Sequence, residues 1–175
     1  GDRRWRVYIT DAVNKVNPND MSYVELGFGK DPDWHPSQDL IIFKGCDDQG
    51  QNCGLYTIRS DGSGRTALTG EASDSMPRWL PDGSGVIFMS EGRDGNWDLY
   101  RLNSADGAVT RLTDDPAPDG LPAVSPDGQQ IAFFSKRSGA WGLWVMPATG
   151  GAATQITAIE GELPSWLVQS VDWTR

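Results

Sequence analysis

The chain has 175 residues with 24 acidic and 15 basic side chains, a formal charge of −9, and so lacks the basic footprint needed to hold a phosphate backbone; nucleic acid is excluded as its ligand. Its 21 glycines and 11 prolines suit a sheet protein with tight turns rather than a helical one, and its 8 tryptophans give individual strands large apolar surfaces. No apolar run nears the roughly 18 residues of a spanning helix, so no membrane insertion is expected.

In chain order, residues 1–6 carry no apolar signal core, so an export signal was either removed or never present. Residues 5–9 alternate as a strand, with Trp5 three residues before Tyr8, and residues 23–26 form a second strand beyond a long turn at 11–21. Pro32-Asp33-Trp34 then opens a unit that returns 45 residues later as Pro77-Arg78-Trp79 and again as Pro122-Ala123-Val124. Behind each come Pro36, Pro81 and Pro126, then Phe43, Phe88 and Phe133, then Tyr56, Tyr100 and Trp144, then Leu68-Thr69, Leu112-Thr113 and Ile156-Thr157. Pro164-Ser165-Trp166 begins a fourth, shortened copy.

Within the second unit, residues 77–80 read as an inner strand and Pro81-Asp82-Gly83 as a turn in which glycine supplies positive φ. Residues 86–90 are an apolar run without polar alternation, as a strand covered on both faces requires. Residues 97–102 alternate, Ala105-Asp106-Gly107 turns, and residues 109–113 form the outer strand. In the first unit Pro36-Ser37-Gln38-Asp39 replaces the Pro-Asp-Gly turn, and a looser turn is expected there.

Four short strands in a period of about 40 to 45 residues define a propeller blade. The expected fold is therefore an all-β propeller of four-stranded antiparallel blades in a single domain over 1–175. Three blades are complete, at about 31–69, 75–113 and 120–157, and one is split between residues 4–27 and 162–175, giving four blade equivalents. A closed monomer, a head-to-tail oligomer that shares the ring, and a piece of a longer propeller all satisfy this count.

Catalytic chemistry finds little to work with. His35 is the sole histidine, no Gly-x-Ser-x-Gly elbow accompanies it, and it stands at a first-turn position where the other units carry Leu80 and Ser125. No catalytic residue is expected. One histidine and a Cys-x6-Cys pair do not make a zinc site, and Asp47, Asp48, Asp94, Asp114 and Asp115 have the composition of turns, so neither metal nor cofactor is expected. Cys46 and Cys53 lie at the base of one hairpin loop, close enough in sequence for their Cα atoms to reach disulfide distance. The bonded state is expected, and with it a location outside the cytoplasm; two inert thiols are the alternative.

The unit Pro-x-Trp/Val-Ser/Leu-Pro-Asp-Gly, apolar strand, Arg-x-Gly-x-Trp, apolar strand, Asp-Gly, Leu-Thr resembles the TolB-type propeller repeat, a relative of the WD repeat in which Pro-Asp replaces Trp-Asp. It is carried best by residues 77–83 with Arg93-Asp94-Gly95-Asn96-Trp97, and by residues 122–133. The resemblance implies a rigid interaction platform, often exported from bacteria, whose partner is a protein or peptide, a second copy of the chain included.

One face of such a platform is made from loops between blades and between second and third strands, where variation is cheapest. Asp74 and Asp119 each precede the repeat proline by three residues, Glu162 lies near the matching place in the last unit, and Arg93 and Arg137 occupy matching second-to-third-strand loops. These residues either ring the channel mouth to capture a partner or tie the blades together. Met76, Arg78 and Phe28 do not repeat and are the candidates for specificity. The functional expectation is a non-enzymatic, extracytoplasmic interaction or assembly module. A glycan- or small-ligand-binding lectin-like propeller and a regulatory propeller of a larger enzyme are the alternatives.

Overall fold

The structure is a computed structural model that describes residues 6–10, 23–47, 49–161 and 173. Glu162, the shortened last unit and the turn at 11–21 lie outside them. The described residues form strands without a helix: β1 (Arg6–Thr10), β2 (Tyr23–Trp34), β3 (Ile41–Gly45), β4 (Gly54–Ile58), β5 (Thr66–Ala67), β6 (Ser75–Trp79), β7 (Gly85–Ser90), β8 (Asp98–Asn103), β9 (Val109–Arg111), β10 (Asp119–Val124), β11 (Gln130–Ser135), β12 (Gly142–Pro147) and β13 (Thr154–Ala158). Each sheet is an antiparallel meander in chain order, β1 to β5, β6 to β9 and β10 to β13. The chain is thus an all-β propeller built of four-stranded blades.

The first sheet differs from the sequence expectation in having five strands. The strand expected at 23–26 and the inner strand opening at Pro32 are one continuous strand. The first half of β2 pairs with β1, Tyr23 opposite Thr10 and Phe28 opposite Arg6, while its second half pairs with β3, Gly29 opposite Gly45 and Trp34 opposite Ile41. In the later blades a loop separates the corresponding strands.

Side chains alternate along a strand, and that alternation explains the unbroken apolar second strands. On β3, Ile41 and Phe43 face back and meet Val7, while Ile42 faces forward and joins Leu55, Val86, Phe88, Tyr100 and Leu102. On β7, Val86 and Phe88 are the backward set, and Ile87 and Met89 pack forward with Leu121, Ile131 and Phe133. Both faces of a second strand are therefore core. Phe43, Phe88 and Phe133 are completely buried, each contributing about 1.5–3 kcal/mol by removal of its apolar surface from water.

The repeated proline marks a bulge. Register shifts fall between Lys30 and Asp33, between Ser75 and Arg78, and between Gly120 and Ala123. At each shift a non-glycine residue takes positive φ: Asp31 at 56°, Met76 at 51° and Leu121 at 55°. Pro32, Pro77 and Pro122 follow at once, where the ladder is interrupted and a missing N–H costs nothing. The repeated Leu-Thr also has a mechanism. Thr69 and Thr113 use Oγ1 to accept the backbone N–H of Leu55 at 3.0 Å and of Leu99 at 2.9 Å, extending the short outer strands by one bond.

The first turn of the first blade is not loose. His35 Nδ1 accepts the N–H groups of Ser37 at 3.2 Å and Gln38 at 3.1 Å, so the imidazole supplies the acceptor that Asp82 provides for Ser84 and Asp127 for Gln129 in the later turns. The ring is buried, meets Trp79 edge-on at 4.6 Å, and lies against Gly83, where a Cβ would come within 2.7 Å. Its role is to join two blades.

Candidate functional site on the loop face

Strand direction reverses at every turn, so the loops between blades and those between second and third strands emerge at the same end of the propeller. Asp74 leads into β6 and Asp119 begins β10; Arg93 and Arg137 reach them from the β7–β8 and β11–β12 loops. Arg93 donates from Nε to Asp74 Oδ1 at 2.9 Å and from Nη2 to Oδ2 at 2.7 Å. Arg137 donates from Nη2 to Asp119 Oδ2 at 2.6 Å and from Nε to Ser135 Oγ at 3.1 Å. Each guanidinium also covers the repeated aromatics of its own blade, Phe88 at 5.4 Å and Tyr100 at 5.6 Å for Arg93, Phe133 at 5.1 Å and Trp144 at 5.2 Å for Arg137.

These pairs close within one blade rather than between neighbours. Both carboxylates are 0% exposed, so they bind arginine and offer nothing to solvent. The hydrogen bonds that Arg93 donates to Asp74 hold its guanidinium above its usual range. Burial pushes the Asp119 carboxyl up, against the opposing effect of Arg137. Asp98, which accepts from Arg111 at 2.6 Å and from the Thr113 hydroxyl at 3.2 Å, is pushed up by burial as well.

The non-repeating candidates separate. Met76 is buried in the core between the second and third blades and occupies the bulge, so it is not an accessible contact. Arg78 is half-buried on the inner strand, with Nη1 donating to the Pro77 carbonyl at 3.0 Å. Phe28 is half-buried beneath the Arg6 guanidinium, 4.6 Å from its ring centroid.

The first blade lacks the clamp. Gly29 stands where the other blades have Asp74 and Asp119, and Gly45 where they have Ser90 and Ser135. Phe43 fills this space, since a Cβ at Gly29 would lie 2.5 Å from its ring and one at Gly45 2.7 Å. The covering cation comes from the outer edge of the blade: Arg65 lies 5.4 Å from Phe43 and 4.9 Å from Tyr56, and donates to the Cys46 carbonyl. Cys46 and Cys53 are bonded to each other across the β3–β4 loop. Asp47 organises that loop by accepting from Gln49 at 3.1 Å, Gln51 at 2.7 Å and Asn52 at 2.6 Å.

Beside the bridge is a cavity of about 440 Å³ lined by Phe28, Gly29, Lys30, Lys44, both cysteines and Ala72. Lys30 and Lys44 lie directly opposite each other in the β2–β3 ladder. Sequence reasoning missed this pair, although superposing the units shows lysine where the others have Ser75 and Met89, or Gly120 and Phe134.

Blades stacked face to face by their second strands, with inner-strand bulges and aromatic-capped ion pairs, define a β-propeller of the Pro-Asp repeat class. The TolB beta propeller domain profile matches residues 32–170, and the chain belongs to that family. It is 34% identical over 105 residues to the Tol-Pal system protein TolB of Anaeromyxobacter dehalogenans (strain 2CP-C), covering 59% of this chain and 24% of that protein. An uncharacterised protein of Agrobacterium fabrum (strain C58) is 30% identical over 103 residues, 59% of this chain and 35% of the relative. The chain therefore spans about a quarter to a third of these relatives. Among solved structures, TolB from Acinetobacter baumannii superimposes with a TM-score of 0.73 at 21% identity, over 90% of this chain and 39% of that one, a likeness of fold.

Proposed function

We propose that this chain is a non-enzymatic, extracytoplasmic interaction module that docks a protein partner on the loop face of its first blade, around the Cys46–Cys53 loop. The observation that carries the reading is a contrast between blades. In the second and third, the charged loop residues are bound to one another, while in the first the clamp gives way to an open cavity with two lysines. Kinship to a Tol-Pal system protein and the disulfide support the assignment to an interaction module outside the cytoplasm.

A lectin-like role would need equivalent pockets between blades. The cavities between the first and second blades and between the second and third occupy matching places, with Gly83 in one and Gly128 in the other, but the first is walled by His35, Trp79 and Leu102 without a charged residue and the second by Asp82, Arg101 and Asp127 without an aromatic one. Trp34 is 53% exposed while its repeat equivalent Trp79 is 9% exposed, so the tryptophans do not form a repeated platform either.

Photo-crosslinking in the producing cell tests the docking face. A benzophenone side chain at Gln49 should give an adduct of discrete mass, and one at Asp106, in the exposed turn at the opposite end, should give none. Equal adducts from both, or none from Gln49, overturn the proposal. Light scattering of the same protein identifies the case in which the partner is a second copy.

A further inference from the structure

Two lysines facing each other across a ladder repel. Nothing in the fold requires them, because the same two places hold Ser75 opposite Met89 in the second blade and small or apolar residues in the third. The clamp carboxylate of the other blades is absent, since the position filled by Asp74 and Asp119 is Gly29 here, and the carboxylates that act on Lys44 are those of Asp31, Asp74 and Glu71. Among the described residues, the Lys44 ammonium donates to the Ala72 carbonyl at 2.8 Å, and the nearest carboxylate to Lys30 is Asp31 at 3.6 Å. An ammonium has three donors, so further bonds remain to be made toward the cavity. The same cavity is also lined by apolar groups, Phe28 and the disulfide.

We propose that Lys30, Lys44 and the adjoining cavity form a carboxylate-binding subsite that takes a glutamate or aspartate side chain, flanked by apolar residues, from a peptide segment of the docking partner. The assignment rests on the docking face proposed above and names the chemistry it recognises. Charge complementarity selects the occupant. On a chain of net charge −9 an acidic segment is disfavoured by the overall charge, and a cavity lined by two lysines, where glycine replaces the clamp carboxylate of the other blades, favours it. Burial and the charge of Lys30 both hold the Lys44 ammonium below its usual range, against the opposing effect of Asp31, Asp74 and Glu71, and the attraction of an incoming carboxylate works in the same direction as those three.

Titration of the uniformly 15N-labelled chain with acetyl-Leu-Glu-Leu-amide, followed by NMR, tests this. The amides of Lys30, Lys44, Gly45 and Gly50 should shift saturably, and acetyl-Leu-Gln-Leu-amide should bind at least tenfold more weakly. Lys44→Met and Lys30→Ser install the residues that the second blade carries at these places, so both should fold, and each should weaken the glutamate peptide at least tenfold. Equal binding of the two peptides, or unchanged binding by the double variant, overturns the subsite. Acetate binding as tightly as the peptide overturns the peptide assignment. A Gln49 crosslink without a response to the glutamate peptide removes the subsite and leaves the docking face standing; a response without a crosslink does the reverse.

Discussion

Arg93 holds Asp74 by two hydrogen bonds, at 2.9 and 2.7 Å, while lying over the Phe88 ring, so one side chain closes the loop end of the second blade and covers a fully buried aromatic. Removing the arginine leaves a carboxylate that is 0% exposed without its partner, whereas removing the aspartate leaves a guanidinium that is 24% exposed and can rehydrate. Arg93→Ala should therefore cost about 3–5 kcal/mol and Asp74→Ala clearly less. Arg93→Lys should recover only part of the loss, because an ammonium neither forks nor stacks. Urea denaturation measures all three, and equal losses or complete recovery by lysine would refute the asymmetry.

The bulge predicts an inverted preference at Met76. In an ordinary strand glycine is worse than alanine by roughly 0.5–1 kcal/mol. At a φ of 51° alanine keeps the steric conflict of the left-handed region, worth about 1–2 kcal/mol, which glycine escapes. Met76→Gly should be at least as stable as Met76→Ala, both having lost a core side chain worth about 2–5 kcal/mol. A glycine variant that melts well below the alanine variant counts against the bulge.

Stability should depend on pH in two opposed ways. Burial raises Asp119 and Asp98 above the ordinary 3.8, so the folded chain keeps protons that the unfolded chain has released. Their contribution is fully present below 3.8 and is lost as the pH rises through the raised values. Asp47, Asp61, Asp82 and Asp127 are lowered, in turn by the Gln51 N–H, the Ser63 hydroxyl, the Ser84 N–H and the Ser125 hydroxyl. Their contribution is present above 3.8 and lost as the pH falls. Asp119→Asn should flatten the decline above 3.8 and leave the acid limb unchanged, as read from denaturation at a series of pH values. An unaltered slope above 3.8 would remove Asp119 as its source.

For the Cys46–Cys53 bridge, thiol titration of the folded, unreduced protein should detect no free thiol. Replacing both by serine should lower stability by about 2–3 kcal/mol through the loop entropy of the denatured chain. Two titratable thiols would overturn both the bridge and the extracytoplasmic assignment.

The blade was legible in the sequence because each recurring residue has a role inside its own unit: Phe88 as inter-blade core, Thr113 as the acceptor of the Leu99 N–H, Pro77 at a broken ladder. The ion pairs were legible for the same reason, since Asp74 recurs as Asp119 and Arg93 as Arg137. Met76 misled because absence of repetition says nothing about burial: Asp31, Met76 and Leu121 share one kind of bulge and one backbone conformation, and although the residue types differ, Met76 and Leu121 are buried in the same core. The continuous β2 was hidden because residues 23–26 and Pro32-Asp33-Trp34 read as strands of two different units, one ending and the next beginning, whereas a single strand serves both. Lys30 and Lys44 were invisible as a pair, because which residues oppose each other is known only once the β2–β3 register is fixed.

The backward and forward faces of the second strand also bear on how such a chain grows. Phe88 seats against the preceding blade and Met89 against the following one, so every unit is at once a plug for the socket behind it and a socket for the plug ahead. Duplicating one 45-residue segment inserts a blade that brings to its joints the same kind of apolar surface that Ile41 with Phe43, Val86 with Phe88 and Ile131 with Phe133 already bring. Such a gene can lengthen by copying, and divergence is then free to act on loops like the one between Cys46 and Cys53 without disturbing the fit.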